Sequence, residues 1–293
     1  MKILIFGGSG MIGSSFYQAW KDKHQVMATL KSDFFEYKKL NHIKKRDFFC
    51  NIDVLKDGLI EKVVKDFQPE AVINCIGITK QLIDKKDYDE VMFINSKFPF
   101  ILKKICNEYD AKLIHLSTDC VFSGRKGNYT ENDIADADDL YGTSKKKGEI
   151  HDCKKTITFR KSTIGLEVEH KHGLLEWFLE QEKEVYGFKH AIFSGLSTYE
   201  LSRVVENVIT KFPSLWGLFH ISGESINKYD LLNKFNKVML GNKIKIKEDT
   251  NFNCDRSLNA ARFNDITGYN PPSWDKMIFD LNEELKIRND IKK

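Results

Sequence analysis

Long apolar runs are absent from this 293-residue chain. The N-terminal run from Ile3 to Phe6 breaks straight into glycines, which makes it a strand rather than the core of a secretory signal. No other segment approaches the roughly 20 apolar residues of a membrane span. The six cysteines (Cys50, Cys75, Cys106, Cys120, Cys153 and Cys254) show neither C-x-x-C nor any metal-ligand spacing. No metal is therefore expected, and the thiols read as ordinary reduced ones in a cytoplasmic protein. One-sided charge is missing as well: 46 Lys and Arg against 42 Asp and Glu leave +4. That balance suits a small anionic substrate and is too weak and dispersed for nucleic acid. The basic cluster Lys38, Lys39, Lys44, Lys45 and Arg46 reads as a solvated loop and helix face. There is no low-complexity tract and no internal repeat. What remains is a chain long enough for one large or two intimately joined domains.

Strand-like and helix-like segments alternate through the first half. Strands are expected at Ile3–Phe6, Gln25–Leu30, Phe48–Phe49, Ala71–Ile76, Lys112–Ser117 and Thr156–Arg160. Helices are expected at Met11–Trp20, Gly58–Phe67 and Tyr88–Tyr109, the last kinked or split at Pro99. This alternation predicts an α/β architecture with a doubly wound parallel sheet. After Arg160 it weakens, and helices are expected at Gly173–Glu184, Ser197–Phe212, Lys228–Leu240 and Asp275–Ile287. The chain thus divides into a Rossmann-type nucleotide-binding domain over 1–160 and a smaller, mostly helical substrate lobe over 161–293. Segments around 185–218 are expected to return to the first domain.

Gly7, Gly10 and Gly13 follow the first strand with G-x-x-G-x-x-G spacing. The first permits a tight turn, the second lets backbone approach a pyrophosphate, and the third lets the helix pack close to the sheet. Ser9, Met11 and Ile12 complete this loop, and the helix N-terminus favours phosphate. At the end of the second strand an acidic residue would bond the 2′-hydroxyl of NAD(H). Here no carboxylate comes before Asp33, and Lys31 is placed to pair the 2′-phosphate of NADP(H), which is the preferred reading; the alternative leaves Lys31 solvated and Asp33 on the ribose. Asp53 is either an adenine contact or a helix N-cap. Cys75 and Gly77, at the end of the fourth strand, should line the cofactor.

The chemistry sits further on. Tyr141 and Lys145 are four apart and share a helix face. Free tyrosine, with a pKa of about 10, is a poor proton shuttle at neutral pH. A neighbouring ammonium would lower that value, and Lys145 would also bond a cofactor ribose. Thr118 ends the fifth strand, where ligands of such sheets bind, and would share the substrate oxygen with Tyr141. Ser117 is the alternative hydroxyl, expected to face the cofactor.

These residues resemble an extended short-chain dehydrogenase/reductase, in particular the dTDP-4-dehydrorhamnose reductase family. The resemblance is carried by Gly7–Gly13, Ser117-Thr118-Asp119 through Val121-Phe122-x-Gly124, Tyr141-Gly-x-x-Lys145 with Gly148-Glu149, and Arg160. It implies NAD(P)H-dependent reduction of a nucleotide-linked 4-keto-6-deoxyhexose for surface polysaccharide, with Thr118, Tyr141 and Lys145 as the catalytic set. The chain departs from the family at Cys120, usually Tyr, at residues 74–81, and at Lys161-Ser-Thr-Ile-Gly165. These segments flank the substrate, so the base, the sugar or both are left open to differ from the family's own. Lys80, Gln81 and Trp177 are substrate contacts or ordinary lid and packing residues. Arg256, in a stretch similar to the family's late Arg-Pro segment, either clamps the diphosphate or makes a surface salt bridge. An epimerase of the same fold and a cofactor-binding regulatory subunit, as in the beta subunit of methionine adenosyltransferase, stay open. So does a homodimer.

Overall fold

The computed structural model describes residues 1–37, 44–56, 58–168 and 173–290. Lys38 and Lys39 of the basic cluster lie outside the described residues. Seven parallel strands make the central sheet: β1 (Lys2–Phe6), β2 (Gln25–Thr29), β3 (Phe48–Phe49), β4 (Ala71–Asn74), β5 (Lys112–Leu116), β6 (Thr156–Arg160) and, from the C-terminal half, β10 (Gly217–His220). Their order is β10-β6-β5-β4-β1-β2-β3. The order reverses beside β1. The loops after β1 and β4 therefore part to opposite faces and leave a crevice beyond the carboxyl ends of the strands, the usual ligand position in such sheets.

Both faces of this sheet are covered, so its strands are mostly buried and rich in apolar residues. Ile3 and Ile5 point to one side and join Phe16, Tyr17 and Trp20 of α1 (Met11–Trp20), Val204, Val205 and Val208 of α7 (Thr198–Lys211), and Ile278 and Leu281 of α10 (Trp274–Asp290). Leu4 and Phe6 point to the other side, onto α2 (Leu59–Phe67) and α4 (Phe98–Glu108). Each large side chain so buried is worth roughly 1.5–3 kcal/mol.

The expected helix over Tyr88–Tyr109 runs in unbroken helical backbone to Glu108 but changes its winding just before Pro99: α3 (Tyr88–Met92), a π turn over Phe93–Lys97 and α4 follow one another directly. The π turn brings Asn95 and Ser96 onto α5 (Leu140–Lys147), the helix that carries Tyr141 and Lys145.

The second half holds more strand than expected. The helix predicted for Gly173–Glu184 ends early, as α6 (Leu174–Leu179), and Glu184 opens a ten-residue strand, β8 (Glu184–Phe193). β8 is the middle of a three-stranded sheet between β11 (Ile226–Asn227) and β12 (Lys245–Asp255). A two-stranded pair, β7 (Thr163–Ile164) with β9 (Leu196–Ser197), precedes α7. Two further helices, α8 (Lys228–Met239) and α9 (Ala261–Thr267), flank β12 in the chain. Among the described residues no helix is long and apolar enough to cross a membrane.

Candidate active site

The glycine loop leads from β1 into α1. Gly7 adopts φ +90°, and a Cβ on Gly13 would sit 2.2 Å from the Gly7 carbonyl oxygen. Only glycine lets the first turn of α1 close this tightly on the strand end. Thr29 of β2 holds the loop from beside: its hydroxyl accepts from Gly7 N at 3.2 Å and its carbonyl from Gly8 N at 2.9 Å. Gly10 is the N-cap, with no side-chain cap, and the first turn of α1 has no acidic residue. With Ser9, Met11 and Ile12 half-buried and Gly10 exposed, the free N–H groups of this turn make an anion cradle. The end of β4 closes it, as Cys75 N donates to Phe6 O at 3.0 Å. Gly77 is exposed beside the crevice.

At the end of β2, two sequence candidates meet each other. Lys31 Nζ lies 3.8 Å from Asp53 Oδ2, with the lysine 59% exposed. The other Asp53 oxygen accepts from Leu55 N at 3.1 Å within a turn; no helix begins at Leu55, as α2 starts at Leu59, so Asp53 is not a helix N-cap. Asp33 accepts from Phe35 N and lies 4.0 Å from Lys45 Nζ.

The end of β5 is built differently. Thr118 Oγ1 accepts from Cys120 N and donates to Asp119 Oδ1, each at 3.1 Å. Thr118 also hydrogen-bonds the Tyr141 phenol. Lys145 is buried and donates to Leu116 O at 2.8 Å; a Cβ on Gly77 would lie 3.8 Å from its Nζ. Burial, helped by the like charge of Lys161, pushes the Lys145 ammonium down to about 8. Two expectations change here. The Tyr141 phenol is raised, where a neighbouring ammonium was expected to lower it. Burial first, then Cys120, Asp119 and Asp139, raise it above its ordinary value, opposed by the Thr118 hydrogen bond. Tyr141 is therefore held as a protonated acid. The Ser117 hydroxyl is also turned away from the crevice and donates to Glu149 Oε1 at 2.7 Å, because Glu149 is buried with Arg160 and needs donors.

Over residues 1–266 the sequence matches the family described as RmlD substrate binding domain. The chain belongs to that family. The likeness to dTDP-4-dehydrorhamnose reductases read from the motifs is borne out by it. The dTDP-4-dehydrorhamnose reductase of Aggregatibacter actinomycetemcomitans is 24% identical over 244 residues, 78% of this chain and 76% of that protein. Methionine adenosyltransferase 2 subunit beta of Danio rerio is 25% identical over 244 residues, 78% of this chain and 71% of the relative. The crystal structure of dTDP-4-dehydrorhamnose reductase from Bacillus anthracis, in complex with NADP, shares the fold with a TM-score of 0.78 at 19% identity, covering 97% of this chain and 99% of that one.

Within this RmlD-family fold the remaining sequence candidates take varied positions. Lys80 is exposed, and its Nζ lies 2.7 Å from Asp139 Oδ2, while Asp139 Oδ1 accepts from Gly142 N and caps α5. Gln81 is exposed. Trp177 is partly exposed on α6. Arg256 is half-buried; its Nε donates to Phe122 O at 2.8 Å and Nη2 to Ser123 O at 3.4 Å. Among the described residues no carboxylate forms an ion pair with it, so it is not a surface salt bridge.

Sequence reasoning missed the supports of α5. Asn95 bridges Ile78 and Ser144: its Oδ1 accepts from Ile78 N at 2.9 Å, and its Nδ2 donates to Ile78 O and to Ser144 Oγ. Ser96 Oγ donates to Ser144 O at 2.9 Å. At the other end a Cβ on Gly148 would sit 2.0 Å from Asn95 O. Glu149, one residue on, takes both Arg160 Nε and Nη2 at 2.8 and 2.7 Å, and the guanidinium lies 5.0 Å from the Phe122 ring centroid. A residue inside a π turn carries no mark in a single sequence. The Gly148-Glu149 and Arg160 motifs were visible, though not their pairing.

Proposed function

We propose that this protein is an NADPH-dependent reductase of a nucleotide-diphosphate-linked 4-keto-6-deoxyhexose, acting in surface polysaccharide synthesis. The observation that carries the reading is the buried acid at the β5 end: a Tyr141 phenol held protonated, bonded by Thr118, one helical turn from buried Lys145. The names of the relatives support the same class of activity, reduction of a dTDP-linked keto sugar. Residues 1–160 would serve as the nucleotide-binding domain and 161–293 as the substrate lobe.

The loop that a Cβ at Gly13 would fill, and the uncapped α1 turn, fit the pyrophosphate of a dinucleotide. Gly7, Ser9, Gly10, Met11, Ile12 and Gly13 would hold it, with Lys31 and Asp53 at the adenosine end and Cys75, Gly77 and Lys145 nearer the reacting end. The nicotinamide, when bound, supplies the hydride. Negative charge then grows on the substrate oxygen, and Tyr141, joined by Thr118 once its hydroxyl turns from Asp119 Oδ1 to the substrate, would favour that charge over the neutral ketone. Tyr141 gives up its proton to the new alkoxide. Lys145, still largely ammonium at neutral pH, holds a cation close to where charge develops. Arg256, fixed on the 122–123 carbonyls, would help to grip the diphosphate.

A screen of CDP-, UDP-, GDP- and dTDP-4-keto-6-deoxyhexoses for NADPH consumption tests the reading, and stoichiometric loss of NADPH with one of them is expected. Tightly held NAD with sugar epimers interconverting, and no net loss of NADPH, would replace the reductase with an epimerase. The methionine adenosyltransferase subunits among the relatives favour a second reading, a non-catalytic NADP-binding regulatory subunit. NADPH binding without turnover on any sugar nucleotide would establish it.

A further inference from the structure

Three chain segments bring cations to one turn. Lys161 follows β6 directly, and its carbonyl accepts from Asp119 N at 3.1 Å, which pins it beside Thr118 and Cys120. Lys228 opens α8, with its Nζ 3.5 Å from the Phe193 ring centroid, and lies within electrostatic reach of Asp119, Cys120 and Cys254. Arg256 reaches the same turn from the end of β12. Asp119 is the carboxylate that Lys161, Lys228 and Arg256 share, and its Oδ1 already accepts from Thr118. Both lysines are half-buried, and among the described residues neither ammonium has a hydrogen bond or an ion pair. Burial pushes Lys228 down to about 8 and Lys161 below its usual range, with Asp119 opposing in each case.

Withdrawing a cation from water without a counter-ion is costly. With Asp119 the one carboxylate shared by three cations, the turn keeps an excess of positive charge, which makes sense if a further anion arrives with the ligand. Position narrows the ligand further. Lys161 also acts on Lys145 and Cys75, so it stands at the reacting end of the crevice, where β4, β5 and β6 end. The anion cradle of the glycine loop, at the end of β1, is a separate place. Lys161 also lies in one of the segments where this chain departs from the dTDP-4-dehydrorhamnose reductase pattern.

We infer that Lys161 and Lys228 form an oxyanion subsite at the reacting end of the crevice, which takes a negatively charged group of the substrate. The inference rests on the reductase reading for what occupies the crevice, and it sharpens the substrate class: a sugar presented with an oxyanion close to the carbon that reacts. Two groups share that chemistry, the diphosphate of the nucleotide sugar and a carboxylate on the sugar.

The test reads binding, not turnover, so it is separate from the NADPH screen. The full-length protein is titrated by calorimetry with pyrophosphate, with glucuronate and with glucose, as wild type and as Lys161→Met and Lys228→Met. Wild type is expected to bind at least one of the two anions, and each substitution is expected to weaken that anion about tenfold, the size of a lost charge-assisted hydrogen bond. Loss of pyrophosphate binding assigns the subsite to the diphosphate; loss confined to glucuronate assigns it to a sugar carboxylate. Without ligand, each methionine variant should melt at or above the wild-type temperature, because an unpaired half-buried charge has been removed. Lys161→Gln and Lys228→Gln repeat the test should a methionine variant fail to fold. Neither anion binding to wild type, equal anion binding by wild type and variants, or a lowered melting temperature in both substitutions at each position would overturn the inference.

Discussion

The ends of β2 and β5 border the same crevice and treat charge in opposite ways. At β2 the ionic groups stand in water: Lys31 is 59% exposed and lies 3.8 Å from Asp53. At β5 they are enclosed: Lys145 is 5% exposed and bonded to a carbonyl at 2.8 Å, with the Tyr141 phenol bonded to Thr118. Solvent screens the first pair, and such pairs are worth about 0–1 kcal/mol. Burial turns the second set into a fixed arrangement of protons, with the phenol raised and the ammonium lowered. On the proposed function, this fold would keep its chemistry where protonation is set by structure and its cofactor choice where charge is cheap to change.

The hardest test of this contrast is Tyr141→Phe. It removes the proton while leaving the ring, so turnover should fall by about two to four orders of magnitude. NADPH binding, assigned by the proposal to the glycine loop, should hold. Steady-state rates beside a fluorescence titration of NADPH would show it, and a near wild-type rate would move the reaction away from the β5 end.

Next in size is the support beneath α5. Arg160→Met strands the Glu149 carboxylate in the core, where it now takes two guanidinium bonds, and should cost about 3–5 kcal/mol. Urea unfolding measures the loss. Adding Glu149→Leu should recover much of it, because the cost lies in the stranded charge.

A milder effect follows from pH. The folded-state value of Lys145 is about 8, below the roughly 10.4 of an unfolded lysine. Between these values the unfolded chain binds more protons, so stability should rise with pH across that window. Lys112 and Lys228 are also lowered to about 8 and push the same way. NADPH affinity should move in the opposite direction, falling as Lys145 loses its proton. Lys145→Met should abolish the fall in affinity and only reduce the rise in melting temperature.

The smallest effect is expected at the exposed end. Wild type should bind NADPH more tightly than NADH, and Lys31→Ala should weaken NADPH alone, by about fivefold or less for a solvent-screened contact. Direct titration of both cofactors decides it. A loss of several orders of magnitude would mean that the β2 end closes over its ligand and is no longer the solvated counterpart of the β5 end.

Much of the fold was legible because it is local. The helix over Met11–Trp20 has the bounds read from the glycines and the apolar run, and β6 occupies Thr156–Arg160 as expected. Tyr141 and Lys145 share one turn because a spacing of four needs no tertiary information. β8 was hidden because Tyr186 and Phe188 are exposed while Val185 and Phe193 are buried, so apolar residues on both faces blur the alternation of a strand. β12 was hidden because it is largely exposed and charged.

The sequence by itself determined the glycine loop, the alternation of strands and helices through the first half, and the candidate acid with its lysine, since each depends on residues close together in the chain. Tertiary structure alone decided which groups are alone and which are paired. It turned Ser117 to Glu149, joined Lys80 to the cap of α5 and Lys31 to Asp53, raised the Tyr141 phenol, and gathered Lys161 and Lys228 around the one carboxylate of Asp119. The physical reason is that desolvation and pairing act across space: the charge a side chain carries depends on neighbours tens of residues away, and only folding brings those neighbours within reach.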